Sequence, residues 1–444
     1  MGRSDPAAEG ALKKPQANFL TVLARRDFRL LWAGQLVSQI GDAFYWLALL
    51  ITVNDLTGST KAMGVTSVIV MLPVLFVGPV AGVFVDRWDR RRTMLVSDLV
   101  RAALVLFCLL VREAHEIWIY WVVGFLVSVV GVFALPAKNA VIPLLVEEGE
   151  LLSANALSQT TQTLALIVGS ATAGFVIGYL GAQVAFVADS ISFLISALAL
   201  WALRVPPVRE ATAKGLQAVG HQFREGVAFI AQSPTVLALL AVGTVFYLGI
   251  GAVNVLWIPF LDRYFGVGPE GIGIVDASQG IGMLLGGAVV GNLASRFSHS
   301  GLVNGGLLLL GAVLVALAIS PAFAYILVLN GIYGLALTPM LSGLYTLLQR
   351  AVPNVKLGRV NAVLGALMRL ANVLSMAAAG WLGEAMSIRA IYVICGGLTI
   401  LSGVLGTRML REPALGLREG APQGAGTGLA PRESGTGSPS KEEG

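Results

Sequence analysis

Long apolar runs recur along this chain, and they constrain its fold more than any other feature. They lie at about Leu30–Val53, Ala62–Val85, Thr93–Val111, Ile117–Ala137, Leu151–Leu180 and Ala185–Leu203, then Val236–Leu261, Gly271–Ala294, Leu302–Ser320, Ala322–Leu348, Val360–Gly383 and Ala390–Thr407. Each is long enough for a hydrocarbon layer roughly 30 Å thick. Lipid offers the backbone no hydrogen bonds, so each run is expected to be a helix. The reading is an all-α polytopic membrane protein of twelve transmembrane helices in two six-helix, pseudo-symmetric halves. Only 12% of residues are charged and mean hydropathy is +0.79, whereas about a quarter are charged in a soluble domain. The least visible boundary, between the ninth and tenth runs, is placed at Ser320-Pro321; the fifth and sixth are parted only by Gly178 to Gly181.

Orientation follows from the basic residues of short loops. Arg25, Arg26, Arg29, Arg87, Arg90, Arg91, Arg92, Lys138, Arg204, Arg296, Arg350, Lys356, Arg359 and Arg408 fall on one side, while only Lys61, Arg112, Arg263 and Arg389 fall on the other. This predicts two cytoplasmic termini in a bacterial inner membrane, and explains the net charge of +5 without nucleic acid. Residues 1–27 read as a cytoplasmic tail, with no segment resembling a cleaved secretory signal. Residues 28–204 and 236–410 are the halves, and 205–235 is a linker. In the linker, Leu216, Val219, Phe223, Val227 and Ile230 keep helical spacing opposite Arg224 and Glu225, as in an amphipathic helix at the interface. Residues 411–444, rich in Gly, Pro, Ser and charge, read as disordered.

The halves repeat. Asn155-Ala156 with Ala173-Gly174 recurs as Asn361-Ala362 with Ala379-Gly380, an interval of 206 residues. Gly82, Asp86, Arg87 and Trp88 are echoed by Gly291, Ser295, Arg296 and Phe297 at an interval of 209. The first copy, Gly82, Asp86, Arg87, Arg90 and Arg91, reads as a charged gate, against the plainer reading of a positive-inside topology anchor. Gly82 sits one turn before Asp86 and lets a helix approach closely, and the carboxylate suits an incoming helix N-terminus. The second copy has lost its acid and its arginine run.

Several chemistries are disfavoured. Cys108 and Cys395 lie inside apolar runs, supplying neither a disulfide framework nor a metal cluster. His115, His221 and His299 fall in loops, so no intramembrane enzyme is expected. The glycines from Gly280 to Gly287 follow no strand and suit helix packing rather than a nucleotide. With no P-loop, ATP and other cofactors are not expected.

Spacing at Gly82-x-x-x-Asp86-Arg87-x-x-Arg90-Arg91 resembles the loop between helices 2 and 3 of the major facilitator superfamily. Asp27-Phe28-Arg29-Leu30-Leu31-Trp32, Gly41-Asp42, Asp86-Arg87-Trp88-Asp89-Arg90-Arg91 and Ser153-Ala154-Asn155-Ala156-Leu157 resemble its drug/proton antiporter type, in the branch with macrolide efflux proteins and the enterobactin exporter. Two departures bear on coupling: the fourth helix lacks that type's arginine motif, and Gly169-Ser170-Ala171-Thr172-Ala173-Gly174 has no Gly-Pro. The resemblance implies a substrate site between the halves near the midplane.

Polar residues inside the spans carry any chemistry, because a charge at the bilayer centre costs about 2.5–3.5 kcal/mol on insertion scales. Gln35, Gln39, Asp42 and Trp46 share a face of the first helix, expected to line a cavity with Asp42 as proton-coupling group. Arg369 and Asn372 sit at similar depth in the eleventh. Gln159, Gln162 and Thr163, Tyr247 with Asn254, and Asn330 with Tyr333 are further candidates, against interhelical hydrogen bonding. Asp189 and Asp276 read as structural residues nearer the outer ends, and Asp98 with Arg101 as a local pair near the cytoplasmic surface. The resulting expectation is a monomeric secondary transporter in the lipid bilayer, exporting a small amphipathic organic compound in exchange for protons. The rivals are a siderophore or lysolipid exporter of the same fold and, less well supported, a non-transporting receptor.

Overall fold

The computed structural model describes residues 18–206 and 216–410. The tail residues 1–17, the linker stretch 207–215 with Arg209 and Lys214, and the C-terminal tail lie outside the described residues. After a short α1 (Phe19–Ala24), the first half comprises α2 (Arg26–Thr57), α3 (Thr60–Phe76), α4 (Gly78–Val85), α5 (Arg90–Leu106), α6 (Ile117–Leu145), α7 (Leu151–Leu180) and α8 (Ala182–Ala202). A linker helix α9 (Leu216–Gln232) leads to α10 (Pro234–Phe265), α11 (Pro269–Arg296), α12 (His299–Ala318), α13 (Phe323–Ala351), α14 (Asn354–Ala385) and α15 (Ile388–Met409). Eleven of these helices are long and apolar enough to cross a membrane, and the bent pair α3–α4 makes a twelfth span.

That bend, 47°, corrects the expectation of one straight helix from Ala62 to Val85. Pro79, at the start of α4, has no N–H to give to the preceding turn, and Pro73 interrupts α3 in the same way. A second correction concerns α6, which runs past Ala137 to Leu145 with Pro136 and Pro143 inside it. The other boundaries lie close to the apolar runs. Gly181, at φ +89°, turns the chain between α7 and α8 in a conformation that suits glycine.

Packing repeats as the sequence does. In the first half α2 packs on α7 and α8, α5 on α6 and α8, and α3 on α6. The corresponding pairs in the second half are α10 on α14 and α15, α12 on α13 and α15, and α11 on α13. Two further packings join the halves, α7 on α11 and α3 on α14, and they are counterparts as well. Where α7 meets α11, a Cβ on Gly174 would lie 2.8 Å from the Gly273 Cα; where α14 meets α3, one on Gly380 would lie 3.2 Å from the Gly64 Cα. Only residues without side chains permit backbones this close.

Both crossings lie at the C-terminal ends of α7 and α14, on the face opposite Arg87–Arg92. Hydrogen bonds between the halves accompany them there: Ser59 Oγ to Glu384 at 2.5 Å, Thr60 Oγ1 to the Gly380 carbonyl at 3.1 Å, Asn54 Nδ2 to Asp262 at 3.0 Å and Arg263 to the Gly58 carbonyl at 2.6 Å. The Lys61 ammonium stands 3.8 Å from the Trp381 ring centre. On the basic face, α9 rests against α14, with Glu225 paired to Arg359 and Gly226 under the Arg359 carbonyl. Its Ile230 is buried while Phe223 and Val227 are exposed.

Candidate transport cavity and buried charge cluster

A cavity of about 570 Å³ lies between the halves, walled by α2, α3, α7 and α10 to α14. Of the residues singled out in the sequence, Trp46, Tyr247, Asn254, Asn330, Tyr333 and Asn372 line it, and so does Asp276, expected to be structural. Asn330 also ties its wall together, donating from Nδ2 to the Val275 carbonyl at 2.8 Å. Gln35 and Gln39 line a separate small pocket with Lys138 and Thr161, so the expectation that they share a cavity with Trp46 is corrected. Eleven residues of helix set Gln35 about 16 Å nearer the basic face than Trp46, where side chains of α6 and α7 wall a space of their own. Beside that pocket the Trp32 indole donates to Thr161 Oγ1 at 2.8 Å, joining α2 to α7. Gln159, Gln162 and Arg369 are exposed and line neither space, and Thr163 Oγ1 returns to the Gln159 carbonyl within α7.

Asp42 belongs to a different construction. Its Oδ1 lies 3.6 Å from Arg101 Nη1, while Arg101 Nη2 meets Asp98 Oδ1 at 2.5 Å and its guanidinium stands 4.1 Å from the Phe193 ring centre. Asp98 is 1% exposed and Arg101 8%, so the pair is real but not near the surface. Asp189, fully buried, sits against the same place from α8: a Cβ on Gly41 would be 2.6 Å from Asp189 Oδ1 and 2.0 Å from Ser192 Oγ. It is therefore a core group. Among the described residues, Oδ2 of Asp98 and Oδ2 of Asp189 take no hydrogen bond. Four ionisable groups from three helices thus meet inside the first half, with three carboxylates to one guanidinium. One guanidinium for three carboxylates leaves negative charge in excess, and charge without a partner is costly inside a protein. The sequence signal was two charges three residues apart in an apolar helix, next to a run of small residues on α8 (Ser190, Ser192, Ser196).

The charged motif also resolves into parts. Asp89 caps α5, its Oδ1 accepting from the Arg92 N–H at 2.7 Å. Arg91 reaches the last carbonyls of α8, at Leu200 and Trp201, with Nε 2.8 Å from the first. Trp88 packs with Phe84 and Phe133 at 5.7 and 5.5 Å between ring centres. Asp86, Arg87 and Arg90 make no side-chain hydrogen bond or ion pair among the described residues, and a Cβ on Gly82 would meet nothing within 4 Å. In this conformation α4 touches α6 and the linker helix α9, but no helix packs over Gly82.

The model of the transmembrane secretion effector family matches residues 17–419, and the chain belongs to that family of major facilitator transporters. Macrolide efflux protein A of Streptococcus pyogenes is 28% identical over 85% of this chain and 94% of its own. Its Enterococcus faecalis counterpart is 30% identical over 69% and 96%, and the multidrug efflux pump Tap of Mycolicibacterium fortuitum 27% over 84% and 92%. Among solved structures, a bacterial homologue of the iron transporter ferroportin in an inward-facing state superposes with a TM-score of 0.71 at 15% identity, covering 86% of this chain and 98% of that one. The fold is that of a major facilitator. The protein is a multi-pass membrane transporter of the efflux type, not an enzyme.

Proposed function

We propose that the chain exports an amphipathic organic compound of drug or macrolide type across a bacterial inner membrane, as a monomer with both termini in the cytoplasm, in exchange for protons. The structure is then its inward-facing state. The observation that carries this reading is the cavity between the halves, with the two glycine crossings joining the halves on the far face and nothing packed over Gly82 on the basic face. The efflux relatives support the direction and the class of cargo. Asp42, shared with Arg101, Asp98 and Asp189, is the proton-coupling group: it is the member of the cluster with an exposed side chain, 49% against 1% for Asp98. Movement of α2 between the two states changes its distance to Arg101, and with it the affinity for a proton.

The test is efflux of erythromycin from a pump-deficient host and from proteoliposomes under an imposed pH gradient. Wild type moves it uphill; Asp42→Asn retains downhill movement but loses the response to the gradient. Uphill transport persisting in Asp42→Asn assigns the proton elsewhere. If siderophores or lysolipids are moved and erythromycin is not, the cargo assignment falls while export stands.

A further inference from the structure

The cavity wall contains one ionisable carboxylate, Asp276 on α11, and no lysine, arginine or histidine. Its Oδ1 accepts from the Trp257 indole at 2.9 Å, and its other oxygen takes no hydrogen bond among the described residues. The wall presents aromatic rings from both halves: Trp257 at the carboxylate itself, Tyr247 ten residues before it on α10, Trp46 on α2 and Tyr333 on α13. The charge cluster around Arg101 lies apart, within the first half, and contributes none of these wall residues. A carboxylate at membrane depth is costly unless it is paired or protonated, and one neutral indole donor supplies a single hydrogen bond. Aromatic faces around a lone acid form a surface that attracts cations electrostatically and apolar groups by burial.

We propose that this cavity selects substrates carrying a positive charge, such as a protonated amine on an apolar body, with Asp276 as their counter-ion and the surrounding rings as the seat of the cation. This rests on the cavity being the transport site. It separates two tasks: the first half holds the coupling proton, and the second half supplies the acid that reads the cargo. Trp257 is the positioning residue, since its N–H fixes one oxygen and leaves the other for the ligand.

The experiment uses the full-length protein in lipid nanodiscs and two probes of similar size, cationic tetraphenylphosphonium and neutral triphenylphosphine oxide, with affinities read by equilibrium dialysis. Wild type should bind the cation at least ten-fold more tightly. Asp276→Asn, which keeps the oxygen facing Trp257, should lower affinity for the cation ten-fold or more and leave the neutral probe within two-fold; Asp276→Glu should retain the preference. Equal binding of both probes by wild type, or a preference that survives in Asp276→Asn, overturns the proposal. The wild-type comparison decides the matter even where a variant does not fold. Transport of the neutral probe without binding of the cation would refute the charge rule and leave export intact.

Discussion

Replacing Gly174 with alanine puts a methyl group 2.5 Å from the Pro269 carbonyl oxygen, 2.8 Å from the Gly273 Cα and 3.0 Å from its nitrogen. All three are backbone atoms of the opposite half, so no side chain can swing aside. The helices must part by roughly 0.5–1 Å, and overpacking of this kind costs about 1–3 kcal/mol. That cost falls only on the state in which α7 and α11 touch. The proposed alternating-access cycle separates them in the other state, so the ratio of the two conformations should shift about 5- to 150-fold. Distances between spin labels at Leu152→Cys and Val355→Cys report the shift. These positions, at the basic-face starts of α7 and α14, are 82% and 83% exposed, while the native Cys108 and Cys395 are buried at 1% and 2%. In Gly174→Ala the distance distribution should move toward the shorter, closed separation of that face. Gly397→Ala is the control, since a Cβ there meets nothing within 4 Å. An unchanged distribution in a Gly174→Ala protein of normal melting temperature would refute the argument that the crossing holds this state.

Three other outcomes are expected. Asp86→Asn should slow turnover at least ten-fold, with near-normal insertion and melting, because the carboxylate has no partner in this conformation and acts in the other; normal efflux by the folded variant would count against the gate. Arg91→Gln should lower stability by about 1–2 kcal/mol, the value of charged hydrogen bonds to helix-end carbonyls at a partly exposed site, as read by thermal unfolding in detergent. Arg101→Met should cost about 3–5 kcal/mol by stranding buried carboxylates, and adding Asp98→Leu should recover a large part of it, which a double-mutant cycle would measure.

Spans were legible because lipid imposes length and apolarity on each segment separately. Leu151–Leu180 came out of the sequence with the bounds the structure gives it, since acidic residues precede it and Gly181 ends it. The break in the second span was written in Gly78-Pro79, but the apolar run passes through it without a change of polarity. Lateral placement was the harder part. Asp42, Gln39 and Trp46 share a helix face, yet which neighbour each meets depends on how α6, α7 and α10 lean against α2. Hydropathy carries no information about that. Asp276 was read as structural for the same reason: depth is legible along the chain, whereas the sides facing a cavity are decided by packing. The repeat of Ala173-Gly174 as Ala379-Gly380 did reach the third dimension, because close backbone contact leaves glycine as its trace.

The pairing of Asp98 with Arg101 on a single helix bears on how the chain is made. Membrane helices enter the bilayer in order of synthesis, and α5 must do so before α8, with its Phe193 and Asp189, exists. An arginine and an aspartate three residues apart on one helix face form their ion pair inside α5 itself, so this span enters lipid with its two interior charges already neutralised by each other. Asp42, on the first span, is then already in place to receive the guanidinium, and α8 closes over a pair formed earlier.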